Sequence, residues 1–262
     1  MVVKQDFLVA KLYQWARLVA MATKRSYGDA CRFAYALDLV GERWALLVVR
    51  ELLLGPKRFT DLRHGLPNAS PNILSERLRE LERGGVVHRR KLPPPAASQV
   101  YELTEWGREL EPVVTKLGAW GARSPLPPEH QEIGADSIVL ALRSLFDPSA
   151  AAELEASYEL RLGDERFRAD VAGAELGLER GEAEDATVAI ETDAPTLAGL
   201  LTGQLPLEEA LESGAATIQG SKREARRFLA LFPMPEPCPA SRQEDPAGST
   251  RAPARLERSQ LI

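Results

Sequence analysis

The chain has 262 residues, 44% of them apolar and 27% charged, the composition of a soluble globular protein with one large domain or two ordinary ones rather than of a disordered or fibrous chain. Its two cysteines, Cys31 and Cys238, exclude a disulfide-stapled secreted scaffold and a Cys-rich zinc module. The net charge of −5 conceals a split: residues 24–124 carry 17 Lys/Arg against 12 Asp/Glu, whereas residues 129–232 carry 9 against 21. A basic front and an acidic back point to two domains with different partners.

At the start, Phe7, Leu8, Leu12, Trp15 and Val19 recur at helical spacing. Lys11, Gln14 and Arg17 interrupt the stretch, so it falls short of the about 20 apolar residues of a membrane span. No signal-peptide cleavage pattern follows it. Residues 1–23 therefore read as an extension: an amphipathic helix for a partner, a transit-like segment, or a start placed upstream of the true one. The last is preferred, because Met21-Ala22-Thr23-Lys24 resembles a natural bacterial beginning. The expected location is the cytoplasm, with no insertion into a membrane.

A domain is expected over residues 24–124. Phe33, Leu37 and Val40 predict a short helix stopped near Gly41. Trp44, Leu47, Val48 and Leu52 predict a second, closed by Gly55-Pro56. A short segment over residues 59–64 follows. Ser70-Pro71 then opens a helix, with Ser at the N-cap and Pro at the first helical position. Leu74, Leu78 and Leu81 give it one apolar stripe, and Gly84-Gly85 end it. Residues 86–90 and 100–104 alternate as the strands of a hairpin around Pro93-Pro94-Pro95-Ala96-Ala97. A single last helix is expected over residues 105–120. Helix, short helix, capped helix and hairpin follow one another in the order of a winged helix-turn-helix.

Opposite the leucine stripe, the capped helix carries Asn72, Ser75, Glu76, Arg79 and Arg83. Asn pairs with adenine and Arg with guanine or phosphate in the major groove, and the N-terminal part of a recognition helix meets the base edges. Asn72, Ser75 and Glu76 are thus base-reading candidates. Arg79 suits a base or a phosphate, and Arg83 a phosphate or solvent. Arg89, Arg90 and Lys91 lead into the hairpin loop, where a wing lies along the sugar-phosphate chain and its charges release counterions. The DNA-binding set, completed by Ser70 and Arg77, is Ser70, Asn72, Ser75, Glu76, Arg77, Arg79, Arg83, Arg89, Arg90 and Lys91.

Cys31, residues 37–41, Trp44, Arg58-Phe59, Leu62, Ser70, Leu74, Arg77-Leu78, Leu81, residues 101–104 and Gly107 resemble the HxlR-type winged-helix regulators, over roughly residues 26–122. Glu42-Arg43 departs from the Gly-Lys of many relatives, and the wing loop is unusually rich in proline. The resemblance implies a bacterial transcriptional regulator that binds double-stranded DNA as a homodimer. It places the dimer interface on the helices at residues 30–40 and 105–121, which sets two recognition helices about one turn of DNA apart on a pseudo-palindrome. It also places Cys31 where several such proteins keep a redox-active thiol. A helix N-terminus and a neighbouring Arg32 both favour thiolate. The alternative is an inert residue buried at the dimer interface.

Ser124-Pro125-Leu126-Pro127-Pro128 marks a linker, taken as residues 125–135. The second domain is expected over residues 136–232. Ile138, Val139, Leu142, Leu145 and Phe146 make an amphipathic helix. Tyr158, Leu160 and Leu162, then Phe167, Ala169 and Val171, Leu176 and Leu178, and Val188 and Ile190 alternate as an antiparallel meander with one apolar face. Helices follow at Asp193-Ala194-Pro195, at Leu207 to Leu211, and behind a capping box at Ser221-Lys222-Arg223-Glu224. The class is α+β, helices laid on one face of a sheet. Residues 233–262, rich in Pro, Ser, Arg and Ala, read as a disordered tail.

Residues 187–191, Leu197, Leu200 to Gly203, Leu207, Ala210, Ser213-Gly214, Ile218 and Gly220 resemble the sterol-carrier-protein family. The resemblance implies an apolar tunnel for a small hydrophobic ligand, with Leu160, Phe167, Leu176, Leu197, Leu201 and Phe228 as lining candidates. No acid/base pair with a neighbouring His or Cys, no Gly-x-Ser-x-Gly elbow and no phosphate loop is found, so no enzyme, metal or cofactor is expected. The function expected is a transcriptional regulator, a repressor, whose second domain senses a small apolar molecule. Two alternatives stand: a thiol-responsive regulator acting through Cys31 with the second domain serving assembly, and a lipid carrier or accessory protein.

Overall fold

The computed structural model describes residues 26–95, 97–125 and 133–239, so the amphipathic stretch of residues 7–21 and most of the tail lie outside the described residues. Helix α1 (Arg32–Val40) stops at Gly41, whose N–H reaches the Leu37 carbonyl at 2.7 Å. Helix α2 (Ala45–Leu52) starts from Trp44, which takes a left-handed φ of 78°. That conformation costs a side-chain-bearing residue roughly 1–2 kcal/mol. Packing of the Trp44 ring against the front core, with the Arg43 guanidinium 5.2 Å from its centroid, offsets it.

The segment at residues 59–64 is a helix, α3 (Phe59–Gly65), because the Asp61 carboxylate takes the Arg58 N–H at 2.9 Å and Leu62 is fully buried beneath it. Helix α4 (Pro71–Arg83) has the expected cap: Ser70 Oγ accepts from the Ile73 N–H, and Leu74, Leu78 and Leu81 are buried. Burying each leucine contributes about 1.5–3 kcal/mol. Strands β1 (Val87–Lys91) and β2 (Gln99–Leu103) pair antiparallel with Val87 opposite Leu103. Lys57 adds a third rung, its N–H and C=O bonded to the Tyr101 backbone at 3.0 and 2.8 Å.

The single helix expected over residues 105–120 is instead two: α5 (Glu105–Arg108) and α6 (Glu111–Gly121). Pro112 is the cause. Proline lacks a donor and its ring crowds the carbonyl four residues back, here that of Arg108, where α5 ends.

The second unit holds α7 (Ala135–Leu145), β3 (Ala156–Leu162), β4 (Glu165–Ala172), β5 (Glu175–Arg180), β6 (Val188–Thr192), α8 (Ala194–Thr202), α9 (Leu207–Glu212), β7 (Thr217–Gly220) and α10 (Lys222–Leu229). The class is α+β, as expected, but the sheet is not a simple meander. Its order is β5-β4-β3-β6-β7, and β6 runs parallel to β3. Residues 181–187 carry the chain from the β5 edge across to the free side of β3, so alternation within the strands held no information about their order. Ser221 makes no side-chain cap bond, contrary to the capping box expected there. The apolar faces of α7, the sheet, α8 and α10 close over one core around Tyr158, Phe167, Phe228 and Phe232.

The two units are not merely strung on a linker. Leu54, just past α2, belongs to the second unit's core, and α6 lies along α7. Around that seam Lys57 Nζ bridges Glu51, at 2.6 Å, and Asp136, while Asp136 also holds Arg180 of β5. Arg143 pairs with Glu111 and donates to the Leu178 carbonyl at 2.7 Å. Residues 233–239 also depart from the expected tail: the Cys238 N–H meets the Arg123 carbonyl at 2.7 Å, which brings the chain back to the end of α6.

Candidate nucleic-acid interface

Helix α4 is held from behind by its three leucines, which leaves Asn72, Glu76, Arg79 and Arg83 exposed along the opposite face and Ser75 half-buried between them. Arg79 Nε donates to the Ser75 carbonyl at 3.1 Å and Arg83 Nε to that of Arg79 at 3.3 Å. Both guanidinium groups are thereby laid along the helix with their Nη atoms turned to solvent's side of the stripe. Ser70 serves as the N-cap, its oxygen engaged by the Ile73 N–H at 3.4 Å.

Arg77 is a correction. It lies on the buried side of α4, 9% exposed, pairing with Glu80 and lying 3.8 Å from Glu42. Its place one position before Leu78 puts it within the apolar stripe, so it braces α4 against the start of α2 rather than facing a nucleic acid.

The wing arginines are exposed but engaged. Arg89 pairs with Glu82 of α4 at 3.0 Å and stands 5.4 Å from the Tyr101 ring centroid. Arg90 pairs with Glu102 at 2.7 Å. Burial alone would raise the Glu102 carboxyl, but the Arg90 hydrogen bond, the charges of Arg90 and Arg108, and His88 together hold it below the usual range. These pairs fix the wing against α4. Lys91, by contrast, is exposed at the strand end. Arg58 Nε donates to Ser98 Oγ at 3.0 Å and ties the start of α3 to the wing loop, a link that no local pattern signals.

Cys31 is exposed as the N-cap residue of α1. The backbone N–H groups of Ala34 and then Phe33 lower its thiol pKa from the ordinary value. Cys238 is exposed as well.

The six residues expected to line a tunnel pack against one another instead. Leu160, Phe167, Leu197 and Phe228 are fully buried, Leu201 is buried and Leu176 partly so, all within the same core. The residues that sequence reasoning missed are Glu51, Lys57 and Asp136. Glu51 did leave a trace, since it follows Val48 at helical spacing on the apolar side of α2. Among the described residues no group of three or more His, Cys, Asp or Glu is placed to hold a metal ion, and no helix is long and apolar enough to cross a membrane.

Comparison with known proteins divides the chain at the same place. Residues 39–127 match the HxlR-like helix-turn-helix family. Residues 139–238 match the alkyl sulfatase C-terminal family, where the sequence resemblance had named the sterol-carrier-protein family. The uncharacterized HTH-type transcriptional regulator YvaP of Bacillus subtilis (strain 168) is 42% identical over 89 residues, which span 34% of this chain and 82% of YvaP. The reduced form of the transcriptional regulator YodB from B. subtilis is 35% identical, covers 38% of this chain and 99% of its own, and superposes with a TM-score of 0.34. The redox regulator HypR in its oxidized form is also 35% identical, over 37% of this chain and 100% of its own, with a TM-score of 0.34. Through the segment shared with YvaP, the chain belongs to the HxlR-like helix-turn-helix family of transcriptional regulators.

Proposed function

We propose that the chain binds double-stranded DNA as a homodimer in the cytoplasm and represses transcription, with α4 in the major groove and the β1–β2 wing on the flanking phosphates. The observation that carries this reading is the exposed Asn72, Glu76, Arg79 and Arg83 face of a capped helix, braced from behind and flanked by a basic wing. The expected homodimer has a surface to use. On α6, Val113, Leu117 and Trp120 stay exposed on one stripe, Trp120 at 75%, and Phe33 of α1 is 71% exposed. Apolar side chains of that size left open on two helices favour a protein interface.

Fluorescence anisotropy on a duplex from the chain's own upstream region tests the reading. Affinity should fall steeply as salt rises. Replacing Arg79 by Ala should cost about 1–3 kcal/mol of binding, and replacing Lys91 by Ala should flatten the salt slope by about one unit. Duplex affinity indifferent to salt and to both substitutions would sink it. In this reading the second domain senses a small apolar molecule. Since its six expected contact residues are closed on themselves, a ligand would need an opening elsewhere.

A second reading has its own observation, the exposed and acidified Cys31 thiol at the head of α1. HypR, a redox regulator by name, supports it as a relative. Loss of duplex binding on treatment with diamide, prevented by Cys31→Ser, is the outcome expected of a thiol switch. An identical response in the variant dismisses it.

A further inference from the structure

A cavity of about 210 Å³ opens on the seam between the two units. Its walls come from both. Arg50 and Leu53 stand on the α2 side, Val114 and Thr115 on α6, and Leu140, Ala141 and Ser144 on α7. Its room depends on Gly118, because a Cβ there would lie 2.7 Å from Ser144 Oγ. The lining is mostly apolar, with hydroxyls at Thr115 and Ser144. One donor stands out. Arg50 Nε is buried and has no hydrogen-bond partner among the described residues, and leaving such a donor unmet costs free energy that an acceptor would restore.

We infer that this seam cavity binds a small neutral aromatic molecule carrying one carbonyl acceptor, and that the acceptor meets Arg50. Size sets the first limit: an apolar cavity of about 150 Å³ takes one benzene, so 210 Å³ takes a substituted single ring and excludes a long-chain lipid. Charge sets the second. The Arg50 guanidinium already pairs through Nη2 with the Glu51 carboxylate at 2.8 Å, so an anion would meet like charge, whereas a neutral acceptor would use the idle Nε. The location sets the consequence. A ligand touching α2, α6 and α7 together prefers the docked arrangement of the units over a separated one, and that difference is what can alter duplex binding. The inference rests on the sensing role proposed above and moves its site from the closed core to the seam.

The probe is acetophenone, titrated into the full chain with ligand-observed NMR, beside ethylbenzene as a shape match without an acceptor. Saturable binding of acetophenone is expected, with ethylbenzene roughly tenfold weaker. Arg50→Met should bring acetophenone down to the ethylbenzene level. Ala141→Leu and Ser144→Leu, which fill the space from two positions, should each abolish binding while duplex affinity without ligand persists. Absence of saturable binding at millimolar probe overturns the inference, as does binding that survives both filled variants. Duplex affinity separates the two failures: if it is intact while acetophenone does not bind, only the seam site is lost.

Discussion

The Tyr158 hydroxyl lies in the middle of the second core, its ring 4.6 Å from that of Phe228, with no hydrogen-bond partner among the described residues. Burial, and after it the charge of Glu224, raises its pKa. An unmet buried hydroxyl costs about 1–3 kcal/mol, and Tyr158→Phe removes it without changing the ring's packing. The melting temperature should therefore rise, by an amount on the order of 1 kcal/mol in stability. A fall in thermal denaturation would mean that the hydroxyl has a partner after all. Glu102 shows the opposite logic. Its folded pKa lies below the unfolded value, so its contribution is complete above the ordinary glutamate range and is lost as the pH falls through the folded value. Melting curves from neutral to acid pH should show a steeper decline for the native chain than for Glu102→Gln, which lacks that titration. Parallel declines would rule out the carboxylate as the wing's acid-sensitive fastening.

Between elements, close backbone approach decides more than propensity. Gly107 of α5 sits where a Cβ would fall on the Val86 carbonyl oxygen. Nearby, Thr104 Oγ1 donates to the Gly85 carbonyl at 2.7 Å and accepts the Gly107 N–H at 2.9 Å. Gly107→Ala must push α5 off the base of the wing, at about 1–3 kcal/mol. Its effect should be read in duplex affinity as well as in melting, because the wing is what moves. A variant that melts and binds like the native chain would contradict this packing. The elements themselves were largely legible. The Ser70 cap and leucine stripe of α4 are local facts, as is the alternation of β1 to β6. The break between α5 and α6 was available too, in Pro112, but the apolar period across it concealed the interruption. Arg77 was misjudged because helical spacing says which side a residue takes and not that a neighbouring Glu80 and Glu42 will draw a charge inward.

For the molecule as a whole, the seam is the new element. Lys57 links the wing strand, through its backbone, to Asp136 at the start of α7, and Asp136 in turn holds Arg180 of β5. Glu51 and Asp136 are 1% and 5% exposed, so their charges depend on this pairing. Removing one member of a buried pair costs about 3–5 kcal/mol when the other is left alone. Asp136→Asn should cost less, since Glu51 still holds Lys57 and Glu165 still holds Arg180. The loss should concentrate at the seam. Faster amide exchange in α6 and α7, with β3 and β4 unchanged, is the expected pattern, and uniform acceleration throughout the chain would count against a local role.

By itself the sequence determined what is short-range: the capped α4 with its open polar face, the hairpin, the strand alternation, and the charge contrast that separates two units. Those follow from bonds and burial among residues a few positions apart. The tertiary structure alone decided the order of the sheet, the closure of the six expected ligand contacts into core, the inward turn of Arg77 and the joining of the units through Lys57 and Asp136. Each of these depends on which distant segments meet, and periodicity carries no record of that: a buried leucine stripe reads the same whether it faces a ligand, a sheet or another helix.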